Sequence, residues 1–252
     1  MASLNQLALI FLILCFCILV GTTLPSRSQS ELQKQESQSR DFGRFPIIDL
    51  AAPEPTDAVE RENRTKRGKR HNVKHAPRID QLTDSTFLLS DWDLNLPALP
   101  VETSAAVVVG RVSKAQAQLS EDKTGIYSEF TIVPETILKN DTKVPLNLDK
   151  SIEVLRIGGR VLLPSGKIIV SGVYKQDMPQ IGSKYVLFLT HHSLNGGEDD
   201  DFYILTGYEI SDGKVYPLDK LSPSHPINKY TGLSEAQLLT DLSSALAKFS
   251  PP

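Results

Sequence analysis

Apolar positions fall into three unlike regimes along the chain. Residues 1–26 carry no charged side chain, and residues 7–20, LALIFLILCFCILV, form an unbroken apolar run of fourteen. A bilayer core asks for about 20 apolar residues, whereas the apolar stretch of a secretory signal needs roughly 7 to 15. The segment 1–26 is therefore read as a signal peptide or, if residues 7–21 are retained, a short membrane anchor. Residues 27–80 show no apolar periodicity outside FPIIDL at 45–50 and are rich in Ser, Gln, Glu, Arg and Pro. A stretch with so little apolar surface to bury cannot offset its ordering entropy, so 27–80 is expected to be a disordered linker.

The third regime, 81–252, is expected to be a β-domain closed by a helix. AAVVVGRV (105–112) is apolar and β-branched on consecutive positions, as in a strand buried on both faces, with Gly110 marking a bulge or bend. IYSEFTIVPETIL (126–138) alternates, setting Ile126, Ser128, Phe130 and Ile132 against Tyr127, Glu129, Thr131 and Val133. Pro134 cannot donate to a ladder and places a bulge or a sheet edge there. Further runs follow at 151–157, 167–173, 184–192, 201–210 and 214–218. Turn residues separate them at Gly158-Gly159, Pro164-Ser165-Gly166, Asn195-Gly196-Gly197 and Asp212-Gly213. In ISDGKV, Asp-Gly supplies the positive φ of a tight hairpin. Six to seven strands joined by hairpin-length loops predict a mainly β fold, an antiparallel barrel or sandwich.

The last segment changes period. Ser234-Glu235-Ala236-Gln237 is a capping-box pattern in which the Gln237 side chain should reach back. Leu238, Leu239, Leu242, Leu246 and Phe249 then form one stripe, predicting a C-terminal amphipathic helix packed on the strands.

Charge separates the regimes again. Residues 27–80 hold 12 Lys and Arg against 9 Asp and Glu, while 81–252 hold 15 against 21. Within residues 61–78 there are eight basic side chains, one acid and no Phe, Tyr or Trp. A nucleic-acid surface would want aromatics for stacking, so that partner is disfavoured. Three readings remain for this basic run: a solvated linker, an electrostatic contact with an anionic envelope surface, or a dibasic processing site at Lys66-Arg67 or Lys69-Arg70. The two cysteines, Cys15 and Cys17, lie in the apolar run. A processed chain would thus have no thiol for disulfides or metal.

Catalytic patterns are sparse. Glu198, Asp199, Asp200 and Asp201 are crowded acids, but they lack the alternating spacing of a calcium loop. His191 and His192 are adjacent on a strand and face opposite sides, and His225 sits in a Pro-rich turn. No nucleophile elbow, phosphate loop or zinc motif is present in the sequence. No catalytic, metal-binding or cofactor-binding residue is assigned, and no cofactor is called for. Tyr185, Phe188, Phe130 and Tyr203 are read as core or cross-strand residues rather than a ligand cage.

VVVGRV, DKTGIYSEFTIVPETILKND, IEVLRIGGRV, MPQIGSKYVLFL, YILTGYE and YPLD together resemble a recurring β-domain of uncharacterised exported bacterial proteins, over residues 100–220. More distantly, the layout is similar to the OB-like barrels of the netrin and metalloproteinase-inhibitor type. The first resemblance implies no activity. The second implies an OB-like barrel, but its cysteine-based inhibition has no counterpart in a processed chain. The expected function is an exported, noncatalytic β-domain, a binding or structural module at the cell envelope with a protein or glycan partner. The alternative is a secreted hydrolase whose site is assembled from loop residues, with Asp199, Asp200, Asp201, His191 and His225 as its polar candidates.

Overall fold

The computed structural model describes residues 42–82, 86–90, 95–141, 145–191 and 201–249, with 86–90 described by backbone alone. The chain divides into two compact units, Met1–Gly43 and Arg44–Pro252. The described strands and α-helices all belong to the second. The expected signal or anchor and the Asn195-Gly196-Gly197 turn lie outside the described residues. Among the described residues, no helix is long and apolar enough to cross a membrane.

The fold is mainly β. The strands are β1 Ile47–Asp49, β2 Thr86–Ser90, β3 Ala106–Leu119, β4 Ile126–Asn140, β5 Ile152–Ile157, β6 Gly159–Leu162, β7 Ile168–Val173, β8 Lys184–His191, β9 Phe202–Ser211 and β10 Lys214–Pro217. Among the described residues, two α-helices, α1 Ala58–Arg70 and α2 Glu235–Ala247, accompany them. A six-stranded sheet runs in the order β10-β9-β5-β4-β3-β8, and a further β8–β9 pairing joins its far end back to β9. The resulting ring is only partly closed, because β5 meets β9 in parallel through two registered pairs, Val154↔Phe202 and Leu155↔Tyr203. Every other pairing within it is antiparallel.

The long β3–β4 ribbon bends where the sequence indicated. Gly110 pairs with Pro134 while Val109 pairs with Thr136, leaving Glu135 as the extra residue of a bulge. A side chain at Gly110 would place its Cβ 2.6 Å from the Val133 carbonyl oxygen, so glycine is required for the close approach. Pro134 lies beyond the end of the β4–β5 ladder, which stops at Ile132, so its missing N–H costs no bond on that side. The ISDGKV hairpin also forms as expected. Ser211 pairs with Lys214, and Asp212 and Gly213 hold φ of 52° and 72°.

A second, four-stranded sheet, β1-β6-β7-β2, was not foreseen. The β6–β7 hairpin takes a parallel strand on each edge, β1 from the segment read as linker and β2 from the start of the expected β-domain, where no strand was expected. Gly158 and Gly159, at φ of 107° and 152°, turn the chain from β5 into β6. A Cβ on Gly158 would sit 2.7 Å from the Ser171 carbonyl oxygen.

The disordered-linker expectation for 27–80 is corrected over residues 44–80. These residues supply β1, α1 and Ile79, which is fully buried among Ala117, Ile126, Val161, Leu163 and Ile169. The segment lacks a core of its own; it becomes ordered by adding ladder bonds, ion pairs and the aliphatic side chains of Ile79, Ile48 and Leu50 to a core formed elsewhere.

Helix α2 packs as expected. Leu238 and Leu242 are fully buried against Val107, Val109, Val186, Phe188, Tyr208 and Val215, with Leu239 and Leu246 partly buried beside them. Ser234 caps the helix by accepting from the Gln237 amide at 3.2 Å. The reciprocal half of the capping box does not form, because the Gln237 side chain donates to Asp241 at 2.8 Å instead. Phe249 falls outside the buried stripe and is exposed.

One charge cluster lies wholly inside. Arg156 on β5 donates to Asp219 and to the Asp177 carbonyl oxygen, both at 2.6 Å, and Thr206 donates to the other Asp219 oxygen at 2.8 Å. Burial raises the Asp219 pKa while Arg156 opposes that shift. The cluster ties β5, β9 and the segment after β10 together.

Candidate functional site

The residues weighed from sequence do not converge. His225 caps the short 3-10 helix Pro226–Tyr230, its Nδ1 accepting from the Ile227 amide at 3.2 Å. His191, at the end of β8, rests against Phe202 with ring centroids 4.5 Å apart. His192, Glu198, Asp199 and Asp200 lie outside the described residues. Asp201 alone joins a cluster, and it does so with residues assigned to the linker. Among the described residues, no group of three or more His, Cys, Asp or Glu side chains is placed to hold a metal ion.

That cluster lies on one face of the ring. Glu129 on β4 is registered with Leu155 on β5, and Leu155 with Tyr203 on β9. Side chains at i and i+2 share a strand face, so Tyr127 stands beside Glu129. Tyr127, Leu155 and Tyr203 form a buried apolar group, and Gln118 on β3 donates to Glu129 at 3.3 Å. Asp201 precedes β9 at the rim. The face is an aromatic floor with two carboxylates at its edge.

Helix α1 covers it. Asp57 caps the helix by accepting from the Val59 amide at 2.8 Å, and Glu60 pairs with Arg64 one turn on at 2.6 Å. Arg67 reaches Glu129 at 3.0 Å and Asp201 at 3.5 Å, and Arg70 pairs with Asp201. Burial works against the Arg67 charge, but Asp201 and Glu129 outweigh it and raise its pKa. His71, the C-cap, stacks on Tyr127 with centroids 3.9 Å apart and planes within 10°. The Tyr203 hydroxyl lies 3.4 Å from its Nε2. Burial, helped by the Arg70 charge, lowers the His71 pKa to about 4, so the ring is neutral near neutral pH. Burial beside Glu129 raises the Tyr127 pKa, and its buried hydroxyl makes no hydrogen bond among the described residues.

Two glycines permit this approach. A Cβ on Gly68 would lie 2.9 Å from the Glu121 amide nitrogen, and one on Gly125 would lie 2.2 Å from the His71 carbonyl oxygen. The chain then leaves along the β3–β4 turn, where the Val73 amide donates to Thr124 at 2.8 Å and the Asp122 amide donates to Asn72 at 3.2 Å. Helix α1 itself contributes no aliphatic side chain to the contact: its one large apolar residue, Val59, is 65% exposed. Guanidinium–carboxylate pairs, one imidazole and a glycine hold it.

Sequence reasoning separated Glu129 from the basic run because Glu129 lies 62 positions beyond Arg67. A usable signal was the polar half of the β4 alternation. A strand face carrying Tyr127 and Glu129 within a buried ribbon needs a polar cover, and the basic run supplies one. A second polar feature, a shallow cleft lined by Arg111, Lys184, Glu209 and Glu235, is internally paired: Lys184 bridges Glu135 and Glu235 at 2.9 and 2.8 Å. In comparisons with known proteins, no family model matched the chain, and neither a curated protein nor a solved structure gave a match.

Proposed function

We propose that this protein is an exported, noncatalytic binding module that acts at the cell envelope through protein contacts made by its β-domain. The observation carrying this reading is the face of Tyr127, Glu129, Leu155, Asp201 and Tyr203, which accommodates an arginine-bearing helix through two carboxylates and an aromatic floor. Planar guanidinium groups matched to carboxylates, next to stacked rings, are the chemistry by which protein surfaces select partners. The apolar run at residues 7–20 supports export.

Capture from the native host's envelope extract tests the reading, with the full chain as bait in low and high salt. A defined protein retained in both conditions is the expected result. Recovery of only salt-labile anionic polymer would reassign the protein to electrostatic adhesion through residues 61–78. Sequencing the exported protein's N-terminus decides between a removed signal, giving a start within residues 22–27, and a retained anchor that keeps Met1.

A further inference from the structure

We infer that helix α1 is a displaceable occupant of the acidic and aromatic face, and that the face takes an arginine-bearing segment of a partner protein in its place. This inference rests on the binding-module reading above and names the class of partner and its intramolecular competitor.

The contact has the composition of an interface rather than of a core. Where α2 buries Leu238 and Leu242 completely, α1 brings to its face Arg67, Arg70, Gly68 and the capping His71. Burying aliphatic side chains gives a helix a non-directional, salt-independent hold, whereas guanidinium pairs at partly exposed sites are weakened by salt and by competing cations. The Arg67 side chain retains 28% exposure and Asp201 20%, so both are accessible to competitors. Under the helix, the Tyr127 hydroxyl has no hydrogen bond among the described residues, a polar group that a differently shaped occupant can engage.

The face survives removal of the helix. Tyr127, Leu155 and Tyr203 are fixed by ladders of β4, β5 and β9, none of which includes α1. The flanking chain also stays attached when the helix lifts. β1 remains paired with β6, and Ile79 remains in the cluster around Ile169. The helix is a strap between two fixed points, so its local concentration over the face is high and an outside ligand must compete with it. Charge sets the partner class: Glu129 and Asp201 at the rim, with Glu153 close enough to act on Arg67, select cations. The rings of Tyr127 and Tyr203 favour a planar guanidinium or imidazole over a lysine ammonium.

The test uses the full exported chain and a fluorescent synthetic peptide carrying residues 57–76, read by anisotropy in 50 mM salt. The native chain should bind the peptide weakly, because α1 already occupies the face. Arg67→Glu with Arg70→Glu should lift the strap and tighten peptide binding at least tenfold, and the neutral pair R67Q/R70Q should do the same if the reversed charges disturb folding. Adding Glu129→Gln and Asp201→Asn to the opened chain should abolish the gain, and a peptide with glutamine in place of its own two face-contacting arginines should bind neither form. Hydrogen exchange across residues 58–71 verifies that the strap has opened. An opened chain that binds no better than the native one overturns the inference, as does one binding the glutamine peptide equally well. Either failure leaves the envelope-capture result standing, whereas failed capture with successful peptide binding would instead remove the envelope role.

Discussion

Arg156 is the charged residue on the buried positions of IEVLRI, whose other charge, Glu153, is exposed, and the structure answers it with Asp219 at 2.6 Å and two carbonyl or hydroxyl partners around the pair. Both side chains are essentially inaccessible, at 1% and 0% exposure. Breaking such a pair from one side leaves a charge in a low-dielectric site, at a cost of about 3–5 kcal/mol. Asp219→Ala should therefore lower unfolding free energy by about that amount in urea titration, with an unchanged slope. Replacing both partners with apolar residues of similar volume should recover much of the loss. At the same scale, Gly158→Ala combines a positive φ of 107° with a Cβ placed 2.7 Å from a carbonyl oxygen. Its destabilisation should exceed the roughly 1 kcal/mol of an ordinary glycine replacement and appear as a lowered melting temperature.

Helices α1 and α2 differ in what holds them, and their responses to pH and truncation should differ accordingly. Leu238→Ala removes a fully buried side chain from the α2 contact and should cost about 2–5 kcal/mol of global stability, measured by chemical denaturation. Helix α1 should respond to pH through His71, whose pKa falls from 6.5 to about 4 when it is docked. A depressed pKa means that the docked form binds fewer protons than the open one. The stabilisation is complete above pH 6.5 and is lost as pH falls through 6.5 toward 4, about 3 kcal/mol in all. Hydrogen exchange over residues 58–71 should therefore accelerate between pH 7 and 4, after correction for intrinsic rates, while β3 and β4 keep their protection. These elements were unequally legible in the sequence. Leu238 and Leu242 announced α2 through their 3.6 periodicity, and the alternation of β4 and the Asp212-Gly213 turn announced their strands because the forces involved are local. Helix α1 carries no apolar stripe, so nothing in residues 58–70 signals docking; the instruction lies in Glu129 and Asp201, far along the chain. β1 and β2 were missed for a related reason, since three- and five-residue strands gain their order from parallel pairing with β6 and β7.

Considered as a whole, the second unit is a partly closed β ring with a polar strap drawn across one face and an apolar helix fixed elsewhere on its strands. Half of the basic run is spent within the molecule: Arg64, Arg67, Arg70 and Arg78 face carboxylates, while Lys66 and Lys69 point outward. An electrostatic contact with an anionic surface would then involve the outward lysines in the closed state and the whole run once the strap lifts. The central claim, that ion pairs beside one stacked imidazole, and not aliphatic burial, hold α1 on the face of Glu129 and Asp201, is tested most directly by hydrogen exchange of the full chain in 0.05 M and 1 M salt. The account predicts protected amides over residues 58–71 in low salt and loss of that protection in high salt, with β3, β4 and α2 unchanged. Protection of α1 that is insensitive to salt, or absent in both conditions, would contradict it.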